Sequence, residues 1–110
     1  MVTLIEIQKL ADQIARLYQP DRIILFGSHA YGDPKTESDV DLLVIMNFAG
    51  RSIDLSTKMW SDTRPDFPVD LIVRKPDDTV RRYKEFDPLI REALDKGKVL
   101  YERNRARVAG

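Results

Sequence analysis

The stretch VDLLVIM, residues 40–46, constrains the possible folds of this chain more than any other part of the sequence. It is a continuous apolar run that is interrupted once, by Asp41. A strand with one face in water alternates apolar and polar residues, whereas a strand that is covered on both faces is apolar throughout. We therefore predict that residues 40–46 form a strand in the centre of a β-sheet, covered by other parts of the chain on both faces.

Helices and further strands are predicted on either side of this central strand. Apolar residues recur at three- and four-residue intervals from Leu4 to Tyr18, and Thr3 with Glu6 fits a capping box, so this segment is predicted to be an amphipathic helix. Ser52 is predicted to cap a second helix. The predicted helices are residues 4–18, 53–63, 77–83 and 87–97, and the predicted strands are residues 23–26, 40–46, 68–73 and 99–101, the last of them at a sheet edge.

The composition is that of one soluble globular domain. The chain has 110 residues, of which 43% are hydrophobic and 33% charged, and its 18 basic residues balance 18 acidic ones. A chain without net charge makes no long-range field for nucleic acid or an anionic membrane, so we expect neither as an independent partner. The absence of cysteine and of an apolar leader favours the cytoplasm. We expect one domain over residues 1–102 and, because residues 103–110 lack apolar periodicity, a disordered tail.

Two aspartates stand at the start of the central strand. Side-chain alternation places Asp39 and Asp41 on one strand face, next to apolar Leu43 and Ile45. At roughly 4 Å and an effective dielectric constant near 20, two unit charges repel by about 4 kcal/mol, which is large beside a domain stability of roughly 5–15 kcal/mol. Protonation of one carboxyl, a nearby Lys or Arg, water at a frayed strand end, or a divalent cation would each relieve this repulsion.

A third aspartate and a glycine–serine turn favour the cation. Asp70 interrupts the apolar strand 68–73, and three carboxylates converge if that strand lies beside the central one; at an edge, Asp70 could instead point into solvent. Gly27 ends the first strand and lets the backbone approach a ligand closely, while the Ser28 hydroxyl and the amides after it can bind phosphate oxygens. Magnesium is often held by one or two carboxylates together with substrate phosphates.

The combination of Gly27-Ser28, the Asp39-x-Asp41 pair after ten intervening residues and Asp70 in a third strand resembles the nucleotidyltransferase fold of the DNA polymerase beta superfamily. The likeness is greatest to its small stand-alone members, the minimal nucleotidyltransferases (MNT), and runs from about residue 23 to residue 73. It implies an α/β (α+β) fold in which a small mixed β-sheet is flanked by helices. The chain departs from the family at Tyr31, where many members have arginine.

The resemblance also implies a role for each motif residue. Gly27 and Ser28 would hold the nucleoside triphosphate, Asp39 and Asp41 would bind two Mg²⁺ ions, or Mn²⁺ in their place, and Asp70 would help one metal to activate the attacking hydroxyl. The implied reaction is transfer of AMP from ATP, with release of pyrophosphate. His29, the chain's only histidine, is predicted to be a loop residue that faces solvent.

The acceptor and the partner also follow from the family resemblance. Minimal nucleotidyltransferases commonly resemble the antitoxin of a two-gene system whose toxin is an all-helical HEPN ribonuclease. This implies a hetero-oligomer in which AMP is transferred to a tyrosine of a HEPN-type toxin. One alternative is a non-catalytic binding module that silences its partner by occlusion, and another is transfer to a small molecule that a separate subunit binds.

Overall fold

The structure, a computed structural model, describes residues 2–32 and 38–103. Every helix and strand predicted from the sequence is present, and the observed ends differ from the predicted ends by at most one residue. In chain order the elements are helix α1 (Leu4–Tyr18), strands β1 (Arg22–Phe26) and β2 (Val40–Ile45), helix α2 (Ser52–Thr63), strand β3 (Val69–Arg74), helices α3 (Pro76–Lys84) and α4 (Pro88–Lys96), and strand β4 (Lys98–Glu102).

The four strands form one mixed sheet in the order β3-β2-β1-β4. β1 runs antiparallel to both of its neighbours, whereas β2 and β3 are parallel. The predictions of a small mixed sheet, of a central β2 and of an edge position for β4 are therefore confirmed. In this arrangement the end of β1 and the starts of the other three strands lie at the same end of the sheet.

Two helical layers cover the sheet, which explains the continuous apolar sequence of β2. α1 and α2 pack on one face against Val40, Leu42 and Val44. α3 and α4 pack on the other face, where Leu43 and Ile45 are buried. Alternation then places Asp41 on the face that α3 and α4 cover.

The helix ends agree with the sequence except at α2. Thr3 and Glu6 form the predicted capping box of α1. The prediction that Ser52 caps α2 is wrong: the cap position is Arg51, without a side-chain cap, and Ser52 is the first helical residue. Its hydroxyl oxygen instead accepts a hydrogen bond of 3.1 Å from the Arg74 guanidinium. The Ser52 side chain thus joins α2 to the end of β3.

The tail that the sequence predicts at residues 103–110 lies outside the described residues except for Arg103. That side chain donates to the Gln19 carbonyl oxygen at 2.8 Å and pairs with Asp21 at 3.0 Å, which ties the end of β4 to the turn after α1. Within residues 2–32 and 38–103, no helix is both long enough and apolar enough to cross a membrane.

Candidate active site

The five residues predicted for the site lie at one end of the sheet. Phe26, the last residue of β1, is opposite Asp41 in the antiparallel register, and Asp41 lies beside Asp70 in the parallel register of β2 and β3. Asp39 comes just before the first residue of β2, and Gly27 and Ser28 directly follow β1. Neighbouring strands lie about 4.8 Å apart, so this pairing brings the carboxylates of two strands close to the turn after the third.

The Asp41 carboxylate is packed against the backbone of Gly27. Gly27 has a φ of +77°, which side chains with a Cβ atom rarely adopt. A Cβ atom at this position would overlap Oδ2 of Asp41 and would lie 3.3 Å from its Cγ. Glycine is therefore needed both for the backbone angle and for the room that the carboxylate occupies.

The chain turns tightly after Gly27. The Ala30 amide donates to the Gly27 carbonyl oxygen at 3.0 Å, and the Tyr31 amide donates to the Ser28 carbonyl oxygen at 3.3 Å. The first amides of such a helical turn have no acceptor within it, and these are the groups that bind phosphate oxygens in other proteins. The turn therefore offers a place for phosphate beside the carboxylates.

The surroundings of Asp41 disfavour its charged form. Partial burial raises the pKa of its carboxyl above the usual range, and the nearby carboxylates of Asp70, Asp39 and Glu92 raise it further, against an opposing effect of His29. None of the ion pairs found in the described part of the chain includes Asp39, Asp41 or Asp70. Within residues 2–32 and 38–103, no lysine or arginine forms an ion pair with these acids.

The chemistry of this donor set fits a hard divalent cation. The nearby acids offer carboxylate oxygens, which Mg²⁺ prefers, and a cation would offset the repulsion that contributes to the raised pKa of Asp41. Among the residues that the structure describes, no three acidic or histidine side chains stand close enough together to form a complete metal cage.

The prediction that His29 faces solvent is wrong. The residue is only 7% exposed, and its Nε2 atom lies 3.0 Å from the Ser38 carbonyl oxygen. The imidazole thus joins the turn after β1 to the segment that leads into Asp39. A long-range contact of this kind leaves no periodic pattern in the sequence, so the burial of a loop histidine could not be foreseen.

Glu92 and Tyr31 also lie at this site. Nothing in the sequence places Glu92 there, whereas Tyr31 is noticeable in the sequence as the position where the chain departs from the family. Glu92 lies on α4 and is near enough to Asp41 to raise its pKa. Partial burial and the Glu92 carboxylate also raise the pKa of the Tyr31 hydroxyl. In the sequence, Glu92 belongs to the polar face of the predicted helix. Only the packing of α4 on the sheet brings it to the site.

Solved structures with this fold are similar over most of the chain. A protein from Sulfolobus solfataricus, provisionally assigned as a nucleotidyltransferase, is 20% identical with a TM-score of 0.64, over 93% of this chain and 82% of the other. A toxin–antitoxin structure with AMP-PNP is 21% identical with a TM-score of 0.56, over 93% and 78%. A complex of tri-AMPylated Shewanella oneidensis HEPN toxin with MNT antitoxin is 18% identical with a TM-score of 0.50, over 93% and 75%.

Sequence comparison identifies the family. No curated protein sequence matches the chain. The family model described as "Polymerase beta, Nucleotidyltransferase" matches residues 8–106, which include all four strands and the whole candidate site. The chain therefore belongs to the polymerase beta nucleotidyltransferase family.

Proposed function

We propose that this protein transfers AMP from ATP to a tyrosine hydroxyl of a HEPN-type toxin and so acts as its antitoxin. The observation that carries the proposal is the packing of the Asp41 carboxylate against Gly27, with Asp70 beside it in the next strand. This arrangement brings acidic oxygens next to a turn that can bind phosphate. Membership of the nucleotidyltransferase family supports the reaction class.

Each site residue has a role in this proposal. Gly27 and Ser28 hold the triphosphate, the first by allowing close approach of the backbone and the second through its hydroxyl and the amides after it. Asp39 and Asp41 would hold two Mg²⁺ ions, for which Mn²⁺ can substitute, and Asp70 would be a ligand of one of them. When bound, two such ions would stabilise the attacking and the leaving oxygens of an in-line displacement at phosphorus.

The positions of the acids suggest a division of labour. Asp41 lies between the Gly27 turn and Asp70 in the sheet, so a triphosphate held at that turn would be nearer to Asp41, whereas Asp70 lies on the edge strand. In the reaction, the acceptor oxygen forms a bond to the α-phosphorus, the bond to pyrophosphate breaks, and the hydroxyl proton passes to the Asp70 carboxylate or to solvent. We assign Asp70 to the acceptor side of this exchange.

The choice of partner rests on the solved structures with the same fold. One of them is a complex of a tri-AMPylated HEPN toxin with an MNT antitoxin, and another is a toxin–antitoxin structure with AMP-PNP. By analogy, the partner of this chain is a HEPN-type toxin, with which it forms a hetero-oligomer. We place this complex in the cytoplasm and assign residues 1–102 to the transferase domain. The neutral net charge supports a protein acceptor rather than a nucleic acid.

The test is to incubate the protein with labelled ATP, Mg²⁺ and the purified cognate HEPN-type protein. We expect the wild-type protein to label the partner and Asp41→Asn to lose this labelling. Asp70→Asn is expected to keep much of the nucleotide affinity but not to label the partner. A wild-type protein that inhibits its partner without labelling it would favour occlusion. Labelling by Asp70→Asn at the wild-type rate would refute the role given to Asp70.

A further inference from the structure

A groove lies beside the open edge of the sheet, and its lining includes Asp70 of the candidate active site. It has a volume of about 260 Å³ and lies between α2 and β3. The side chains of Asp70 and Leu71 point to opposite faces of the sheet. Because both residues line the groove, the groove must extend around the edge of β3. The lining residues are Ile53, Ser56, Thr57, Trp60, Asp70 and Leu71.

The α2 wall of this groove exposes two large apolar side chains. Ile53 is 61% exposed and Trp60 is 48% exposed, and their spacing of seven residues puts them on the same helix face. Tryptophan is enriched in the buried centres of protein interfaces, and it is prominent among the residues whose truncation weakens binding most. The wall therefore has the composition of a protein-docking surface.

The β3 side of the groove supplies backbone groups for a partner. Among the strands in the described part of the chain, β3 pairs only with β2, so its other edge is open to a further strand. An extended peptide can add to such an edge through main-chain hydrogen bonds, while pockets beside the strand select its side chains. The Ser56 and Thr57 hydroxyls donate hydrogen bonds to the Ile53 carbonyl oxygen. Their oxygens keep lone pairs that can accept hydrogen bonds from the peptide.

The charges of the lining favour a protein over a nucleic acid. Among the residues that the structure describes, no lysine or arginine lines the groove, and the one charged lining residue is Asp70. A strand of nucleic acid needs cations along its phosphates, so this surface would repel it at the site end. A neutral peptide with apolar side chains meets no such penalty.

We infer that this groove docks an extended, apolar segment of the partner protein and thereby presents the tyrosine hydroxyl of that segment to Asp70. The inference rests on the proposed function, because it gives that function's acceptor a path to the site. Apolar side chains of the segment contact Ile53 and Trp60. The tyrosine lies at the end of the groove that Asp70 lines.

The test uses the cognate HEPN-type protein and two matched isoleucine variants. Ile53→Ser changes the groove, whereas Ile5→Ser is the control, because Ile5 is also the second residue of its helix and is 70% exposed. We expect Ile53→Ser to raise the KM for the partner about tenfold or more while the KM for ATP is unchanged, and Ile5→Ser to change neither. Trp60→Ser is a second groove variant with the same expected result.

A binding readout separates this inference from the proposed function. The chain has one tryptophan, so 5-fluorotryptophan at Trp60 gives a single fluorine resonance, which we expect to shift when the partner is added. That shift without AMP transfer would support the groove and refute the proposed function. AMP transfer with an unchanged resonance and an unchanged KM in Ile53→Ser would refute the groove. A fluorine shift caused by RNA in place of the partner would also overturn the inference.

Discussion

Gly27 is the residue at which a single carbon atom would change the site. Its φ of +77° disfavours a side chain by roughly 1–2 kcal/mol, and an added Cβ would also overlap the Asp41 carboxylate. We predict that Gly27→Ala lowers the free energy of unfolding by about that amount and also removes the rise in Tm that Mg²⁺-ATP causes. Differential scanning fluorimetry with and without Mg²⁺-ATP measures both effects.

Gly32 provides the matched control for this prediction. Its φ of +79° gives the same backbone strain, but a Cβ there would meet no atom within 4 Å. Gly32→Ala is therefore expected to lose similar stability and to keep its response to Mg²⁺-ATP. If the two variants lost the nucleotide response equally, the contact between Gly27 and Asp41 would not explain it.

Asp41 is expected to destabilise the metal-free protein at neutral pH. Burial and the neighbouring acids raise its folded-state pKa above the value of about 3.9 in an unfolded chain. The folded state then binds the carboxyl proton more tightly than the unfolded state does. The stabilisation that protonated Asp41 gives is therefore fully present below the unfolded pKa and is lost as pH rises through the folded pKa. We predict that Asp41→Asn matches or exceeds the wild-type stability in metal-free buffer, with an advantage that increases as pH rises through this window.

Urea unfolding in metal-free buffer, from pH 3.5 to pH 8, measures this difference. Asn has nearly the shape of Asp and does not titrate. The way in which the difference in unfolding free energy between the variant and wild type changes with pH therefore reports the effect of the Asp41 charge. A variant that is clearly less stable than wild type throughout would show that hydrogen bonds or a cation within the chain hold the Asp41 charge.

The site residues differ in how far the sequence could place them. Asp39 and Asp41 share a face because side chains alternate, and this rule needs only the chain itself. Asp70 required one more fact, the pairing of β3 with β2, which the sequence left open. Glu92 and His29 depend on the packing of α4 and on the path of a loop, and neither of these leaves a local pattern.

At the scale of elements, Gly97 fixes α4 against β1. A Cβ at this glycine would overlap the Ala93 carbonyl oxygen and would lie 2.5 Å from Ile24 Cγ2 and 2.9 Å from the Leu25 carbonyl oxygen. Two of these atoms belong to the backbone and move only with their helix or strand. We predict that Gly97→Ala costs about 1–3 kcal/mol of stability, which is the usual range for overpacking, as measured by urea denaturation.

Gly97 has a φ of −74°, so Gly97→Ala carries steric overlap without backbone strain, and Gly50→Ala is its counterpart, because a Cβ at Gly50 would meet no atom within 4 Å. Gly50 has a φ of +82°, so its variant carries backbone strain without steric overlap. If Gly97→Ala were as stable as wild type, α4 would move away from β1 at little cost. The position of Glu92 would then be loosely determined.

The elements were more predictable than their pairing. Apolar periodicity and capping residues gave the helix and strand ends to within one residue, because those signals are local. The order β3-β2-β1-β4 depends on which strands meet after the chain has folded, and the sequence identified only the central place of β2 and the edge place of β4. The α2 cap was misjudged because Ser52 contacts Arg74, which is distant in the sequence.

For the whole molecule, ligand binding should appear as added stability. A ligand that binds only the folded state, at 100 times its dissociation constant, adds about 2.7 kcal/mol. We predict that Mg²⁺ or Mn²⁺ with ATP raises Tm and that Asp39→Asn or Asp41→Asn removes this effect, because each loses a carboxylate ligand. ATP in EDTA is the control for binding without metal, and an unchanged metal-ATP response in both variants would refute the proposed site.

The parallel pairing of β2 with β3 has a consequence for the quality of any purified sample. A slip of β3 by one residue would turn Asp70 to the α1 and α2 side of the sheet, and a slip by two would move its carboxylate by about 6–7 Å along the strand. Such misregistered molecules could keep their helices and give a normal circular dichroism spectrum, yet their acids would no longer meet. The active fraction of a preparation can be titrated with a tightly binding nucleotide analogue. This fraction would then measure how accurately the chains have folded as well as how pure the preparation is.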